Sequence, residues 1–268
     1  MKSFIRLNLM FFTFLMILTG CQLSHENELI LSRNEKIELA CKVWGFLKYH
    51  HPLINSDVYN WDDEFFNLIG DIDSANTKED IKNIFSRLLK KFPIYDTFSI
   101  NNENRNILTF KKYDYKWLDD TSILSSLNSI ALKRLKNNIF LGNSYYITND
   151  NDIRLPEFDN EIPYSDSIFP SPKLRLLALS RYWNVIYYFY PHLELNDIPW
   201  DTVLKKFIPR FLSAKDTLDY HLAVLELTSQ LNDGHVWTLS KEINLFFGIY
   251  SVPVKLRYIE DLVTITDF

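Results

Sequence analysis

Lys42-Val43-Trp44-Gly45-Phe46-Leu47-Lys48-Tyr49-His50-His51-Pro52 has a counterpart 139 positions later, Arg181-Tyr182-Trp183-Asn184-Val185-Ile186-Tyr187-Tyr188-Phe189-Tyr190-Pro191. The same offset pairs Trp61-Asp62 with Trp200-Asp201, Ile69 with Ile208, Ser74-Ala75 with Ser213-Ala214, Asp80 with Asp219 and Leu88 with Leu227. There are ten identities over residues 39–89 without a gap, and two of them are Trp pairs. This self-similarity reads as an internal duplication, and it sets the fold.

Each copy reads as helix, Pro-containing turn, helix, short break, helix. Ile37, Ala40, Cys41, Trp44, Leu47 and Lys48 recur at spacings of three and four, as do Leu176, Leu179, Tyr182, Trp183, Ile186 and Tyr190, so each set forms one face of a helix. Pro52 and Pro191 end those helices. Asp62 and Asp201 suit the first turn of the next helix, where a carboxylate meets the positive end of the helix dipole. Ser74 and Thr77 precede a third helix over Lys78 to Lys91. Its counterpart, Thr217 to Leu231, is expected to turn Leu218, Leu222, Leu225 and Leu231 inward.

The segment between the copies changes character. Asn-rich stretches (Asn101, Asn102, Asn104 and Asn106, then Asn149 to Asp152) alternate with short strand-like runs, Ile107 to Phe110 and Ser144 to Ile147. Pro156, Pro163, Pro170 and Pro172 extend the approach to the second copy. Beyond His235, Leu245 to Tyr250, Val252 to Tyr258 and Leu262 to Ile265 are apolar, β-prone runs separated by breakers, and they read as strands.

The predicted fold is therefore mainly α: two related helical hairpin units joined by an irregular α/β connector, with β-strands beginning at the C-terminal end. The predicted segments are a signal peptide at 1–20, a tether at 21–35, the first helical unit at 36–99, the connector at 100–170, the second helical unit at 171–238 and the start of a β region at 239–268.

Composition narrows the function classes. Of 268 residues, 47% are hydrophobic and 24% charged, which excludes a disordered or collagen-like chain. Lys and Arg number 29 against 34 acidic residues, a net charge of −5, so no basic excess favours nucleic acid. Six glycines leave little from which to build a Gly-rich phosphate cradle. No cofactor is implied.

The start reads as an address. Lys2 and Arg6 precede the apolar run Leu9 to Leu18, too short to span a bilayer, which needs about 20 residues. Leu18-Thr19-Gly20-Cys21 resembles a bacterial lipobox, in which the cysteine becomes the lipid-bearing N-terminus. The resemblance implies lipidation at Cys21, a membrane held through that lipid, and residence in the bacterial cell envelope. Cys41 would then be the only remaining thiol, without a disulfide partner, and reads as a small buried hydrophobe.

Arg175-Leu176-Leu177-Ala178-Leu179, Tyr182-Trp183-Asn184-Val185-Ile186 and Tyr188-Phe189-Tyr190-Pro191 resemble the N-terminal helical region of bacterial C-terminal-processing (tail-specific) serine peptidases. The similarity is to the lipoprotein branch related to the tricorn core. The run from Val43 to Pro52 with Asn60-Trp61-Asp62 is similar to that family's first helical unit. Leu231-Asn232-Asp233-Gly234-His235 is similar to its Asp-small-His signature. Val252-Pro253-Val254-Lys255-Leu256 and Leu262-Val263-Thr264 are similar to its strands before a PDZ-like domain. The likeness covers nearly all of residues 36–268. It implies that PDZ-like and catalytic domains holding the nucleophilic serine would follow, and that this chain is the non-nucleophilic portion, inactive alone. Its partners would then be a polypeptide substrate or a separate catalytic domain.

By that resemblance His235 is the candidate catalytic residue, a base toward a distant serine, and imidazole titrates in the right range for that task. The tricorn-like pattern also carries a serine just before this histidine, where the chain has Gly234. A purely structural reading competes: Asp233-Gly234 is an ordinary helix stop, with Gly in the left-handed position after the helix. His50, His51 and His192 flank the equivalent prolines, with no Glu or Cys at ligand spacing, and no metal site is predicted there. Tyr182, Trp183 and Tyr187 to Tyr190 read as core rather than as a sugar-stacking platform. Lys90-Lys91 and Lys205-Lys206 read as solvated faces. The alternative function is a helical envelope lipoprotein that binds glycans or peptides without catalysis.

Overall fold

The computed structural model describes residues 31–56, 58–94, 114–136, 145–149, 156–250 and 252–267. The lipobox with Cys21, the strand-like run Ile107 to Phe110 and the Asn101–Asn106 stretch lie outside them. Among the described residues the protein is mainly helical, with nine α-helices and a small antiparallel hairpin at the C-terminal end.

The first copy folds as α1 (Arg33–His50), α2 (Trp61–Ser74) and α3 (Lys78–Lys91). The connector holds α4 (Thr121–Leu124), α5 (Ser126–Leu135) and a two-residue strand pair, β1 (Thr148–Asn149) with β2 (Pro156–Glu157). The second copy is α6 (Pro172–Phe189), α7 (Trp200–Leu212) and α8 (Thr217–Thr228). Then come α9 (Lys241–Phe247) and the hairpin β3 (Lys255–Ile259) and β4 (Leu262–Asp267), turned through Glu260 and Asp261, both with positive φ.

The helix starts repeat at the offset read from the sequence. Ser32 caps α1 in a reciprocal box with Glu35, and Ser171 caps α6 ahead of Pro172. Thr77 with Asp80 starts α3, as Asp216 with Asp219 starts α8. At the other end, Lys36 donates to the Ala75 carbonyl, and Arg175 donates to those of Phe211 and Leu212. Each cation thus meets the carbonyl-rich end of the second helix of its own copy.

The tryptophans carry the clearest equivalence. Trp44 Nε1 donates to the Trp61 carbonyl at 2.9 Å, and Trp61 Nε1 donates back to the Trp44 carbonyl at 3.1 Å. Trp183 and Trp200 make the same exchange at 2.9 and 3.0 Å. All four rings are buried. A buried indole needs an acceptor for its N–H, and this exchange satisfies both rings while locking the first helix of each copy to the second.

The copies face each other about a pseudo-two-fold axis between α1 and α6. Tyr49 meets Tyr188, its own equivalent, edge-on with ring centroids 5.7 Å apart. Asn184 sits over its equivalent, Gly45, and donates to the Cys41 carbonyl at 3.2 Å and the Ser180 carbonyl at 2.8 Å. Cys41 and Ser180 are themselves an equivalent pair. Across the axis Lys42 pairs with Asp201, and Arg181 with Asp62. Position i of one copy touches j of the other, and j touches i, as in an isologous dimer interface.

Several expectations need correction. Helix α1 begins at Arg33, because Ser32 caps it, so the first helical unit starts before the expected residue 36. Of the run Ser144 to Ile147, Tyr145 and Tyr146 form a turn and Ile147 makes a β-bridge, while the strand itself is Thr148–Asn149. Helix α8 turns Tyr220, Ala223 and Leu227 inward, leaving Leu218, Leu222 and Leu225 only half buried. These inward residues are the repeat equivalents of Ile81, Ile84 and Leu88, buried in α3, so packing inherited from the duplication outweighs the count of leucines. Leu245 to Phe247 are helical because Ser240 Oγ accepts the Ile243 N–H at 3.2 Å and starts α9.

Candidate functional site

Helix α8 runs into a 3-10 turn at Ser229–Leu231, and Asn232 then reverses the chain in the left-handed region, with φ 51°. Asn232, not Gly234, takes that conformation, which Asn tolerates because its short side chain bonds locally. The helix stop is therefore at Asn232, two residues before the expected Gly234. The Asn196 amide donates to the Gln230 carbonyl at 2.9 Å and ties the turn to the loop after α6.

This reversal presents Asp233 and His235 together. One carboxylate oxygen of Asp233 accepts the His235 backbone N–H and lies against ring Nδ1, each at 2.9 Å. Tyr190, at the end of α6, donates its hydroxyl to the other oxygen at 3.0 Å. Those bonds, led by the His235 N–H, pull the Asp233 carboxyl down to about 2. With the carboxylate ionised, Nδ1 is the ring nitrogen that donates to it, and Nε2 faces solvent. The His235 side chain is 98% exposed. Oriented at Nδ1 and open at Nε2, the ring can take a proton from a group brought to it. Among the described residues no hydroxyl is hydrogen-bonded to it. Ser240 does approach a different imidazole, His221 Nδ1, at 2.6 Å, but its oxygen serves as the cap of α9.

No family model, curated protein or solved structure matches the chain.

The other expected residues are placed as follows. His50 is fully buried, with Nδ1 2.8 Å from the Phe46 carbonyl and Nε2 3.0 Å from the Tyr115 hydroxyl. The Leu53 N–H donates to His51 Nδ1, and His192 is exposed. Among the described residues, no three His, Cys, Asp or Glu side chains gather as metal ligands. Cys41 is buried between the copies, which pushes its thiol up to about 12. Trp183, Tyr187, Tyr188 and Phe189 are buried, with Tyr182 and Tyr190 packed against that core. Lys90, Lys91, Lys205 and Lys206 are exposed.

Sequence reasoning missed a buried charge cluster. Lys48, fully buried, pairs with Glu161 from the connector, and Arg181 pairs with both Asp62 and Glu161. Tyr164 donates to Asp62 at 3.1 Å. Burial depresses the Lys48 ammonium to about 8, against the attraction of Glu161. Burial likewise raises the Asp62 carboxyl, against Arg181. The recurrence of a cation at 42 and 181, and of Asp at 62 and 201, was the available signal. The placement of Glu161 had none.

Proposed function

We propose that the chain is the non-nucleophilic, amino-terminal portion of an envelope lipoprotein of the tail-specific serine peptidase type. In this reading His235, oriented by Asp233 and Tyr190, is the base for a serine supplied by a catalytic domain outside this sequence. The observation that carries the reading is the Asp233–His235 pair: the residues that resemble the family's signature adopt a geometry in which a carboxylate holds Nδ1 and Nε2 stays open. A base alone performs no acyl transfer, because the members of such a group act as a unit. The alternative is a helical envelope lipoprotein that binds glycans or peptides without catalysis; the Tyr182–Tyr190 aromatic run, packed in the core, does not offer it a stacking surface.

The purified chain should neither degrade unfolded protein nor react with a serine-directed fluorophosphonate probe. Joined to a catalytic domain of that peptidase type, it should become active, and His235→Ala should then lower kcat by about 10²–10⁴-fold. Proteolysis by the isolated chain through repeated purification, or a joined enzyme indifferent to His235→Ala, would overturn the assignment. The lipid anchor is tested separately. Cys21→Ser should move the protein from the membrane fraction to the soluble periplasm, and unchanged fractionation would remove the anchor.

A further inference from the structure

The duplication predicts two equivalent cross-axis ion pairs, and the structure treats them differently. Lys42–Asp201 lies at the surface, with the Asp201 side chain 42% exposed, whereas Asp62 of the Arg181 pair is 4% exposed. Only the Asp62 side is covered by the connector. Only that side carries Glu161 and a buried lysine at position 48, where the other copy has Tyr187. Two-fold symmetry therefore breaks here, and a cleft of about 170 Å³ opens, lined by Tyr59, Asp62, Tyr145, Glu161 and Arg181 among others. A cavity of roughly 150 Å³ can hold a benzene-sized guest.

The polar groups of the cleft are unevenly committed. Arg181 donates from Nη1 to the Ile162 carbonyl and from Nη2 to Asp62, while its Nε forms only an ion pair with Glu161 Oε2, without hydrogen-bond alignment. The Asn60 amide donates to Asp63, the Asn160 amide to the Tyr145 carbonyl, and the Tyr146 hydroxyl to the Tyr59 carbonyl. Two carboxylate oxygens are also left over. Asp62 Oδ1 and Glu161 Oε2 are buried without a hydrogen-bond donor, Glu161 Oε2 having only the ion pair with Arg181 Nε at 3.0 Å. Unsatisfied buried carboxylate oxygens are costly, and here they belong to residues lining a space between tyrosine rings. The wall of the cleft already accepts one ammonium in this way: Lys48 Nζ pairs with Glu161 and stands 4.3 Å from the Tyr146 ring centroid.

We propose that this cleft binds a basic group of side-chain size, a primary ammonium or a guanidinium, on Asp62 and Glu161 against the rings of Tyr59 and Tyr145. The group is either a free small amine or the end of a lysine or arginine in a polypeptide. An anion is disfavoured because it would approach the Asp62 and Glu161 carboxylates, to which Arg181 is already paired, and a neutral apolar guest leaves the carboxylate oxygens unpaired. The site is independent of the role assigned to His235.

Calorimetric titration of the full chain with n-butylammonium and ethylguanidinium, with n-butanol and butyrate as matched controls, tests this. At least one cation should bind saturably and about tenfold or more tighter than butanol, with butyrate weaker still. Tyr145→Ala, a rim change outside the charge cluster, should weaken the cation about threefold or more with an unchanged melting temperature. Acetyl-Gly-Lys-Gly-amide and acetyl-Gly-Arg-Gly-amide separate the sources: tighter binding than the bare cation assigns a polypeptide, equal or weaker binding a free amine. Absence of saturable binding by either cation, butanol binding as well as they do, or a Tyr145→Ala affinity equal to the parent's would overturn the proposal.

Discussion

Exchanging Gly45 and Asn184 should leave the protein close to its original stability, while either half of the exchange alone should be severely destabilising. A methyl group at Gly45 would overlap the Asn184 amide, which is buried and held by two carbonyls. The Asn184 side chain has no free direction to move, so Gly45→Asn should cost about 3 kcal/mol or more through overpacking. Asn184→Gly loses the bonds to Cys41 and Ser180, opens a void between α1 and α6, and adds a helical glycine worth about 1 kcal/mol. In the double variant the glycine cost moves from one helix to its equivalent and cancels. The amide that Gly45→Asn introduces faces the same two carbonyls, because Cys41 and Ser180 are also exchanged by the axis. Urea melts of the four proteins form a double-mutant cycle. Additive losses in it would mean that the two copies do not meet about a two-fold.

Acid should unfold this protein well above the carboxylate range, and His50 should account for a large share. The Phe46 carbonyl fixes the proton on Nδ1, the Tyr115 hydroxyl faces Nε2, and burial pushes the imidazole down to about 3. Burial brings His51 to about 4. An unfolded histidine titrates near 6.5, so between roughly pH 6.5 and these folded values the unfolded chain binds more protons. Stability is then complete above pH 6.5 and falls as the pH drops, at about 1.4 kcal/mol per unit for each histidine. For His50 the whole loss amounts to about 3–6 kcal/mol. Asp62, with its carboxyl held up, works in the opposite direction. His50→Phe, which installs the residue its equivalent Phe189 already is, should remove about half of the slope between pH 6 and pH 5, whatever it does to absolute stability. Denaturant melts at those two pH values provide the test, and an unchanged slope would mean that His50 is reached by solvent.

The duplication is a local pattern, and what it implied locally holds. The start of α3 after Thr77, the helix starts at Trp61 and Trp200, and the burial of four tryptophans each follow from residues within one turn or one hairpin. The errors arose where two patterns competed over the same residues. Leu218, Leu222 and Leu225 suggested the wrong inner face of α8, because hydrophobicity is non-directional and the face is chosen by what the helix packs on. The strand-like composition of Leu245 to Phe247 yielded to a serine cap, since β-propensity reports packing more than backbone preference. At the candidate base, the sequence singled out Asp233 and His235. That Tyr190 donates to Asp233, 43 residues away, depends on how α6 and the turn after α8 lie together.

What the sequence determined by itself is the content of each copy: three helices, their ends, and the rings between them, all set by interactions over short separations. What only the tertiary structure decided is how the copies face each other and where their equivalence fails. Lys48 meets Glu161 across 113 residues, and Arg181 meets Asp62 across 119. Nothing local specifies those meetings. A charge's energy depends on its distance from a partner and on the water left between them, and both are fixed only once α1, α2, α6 and the connector have packed.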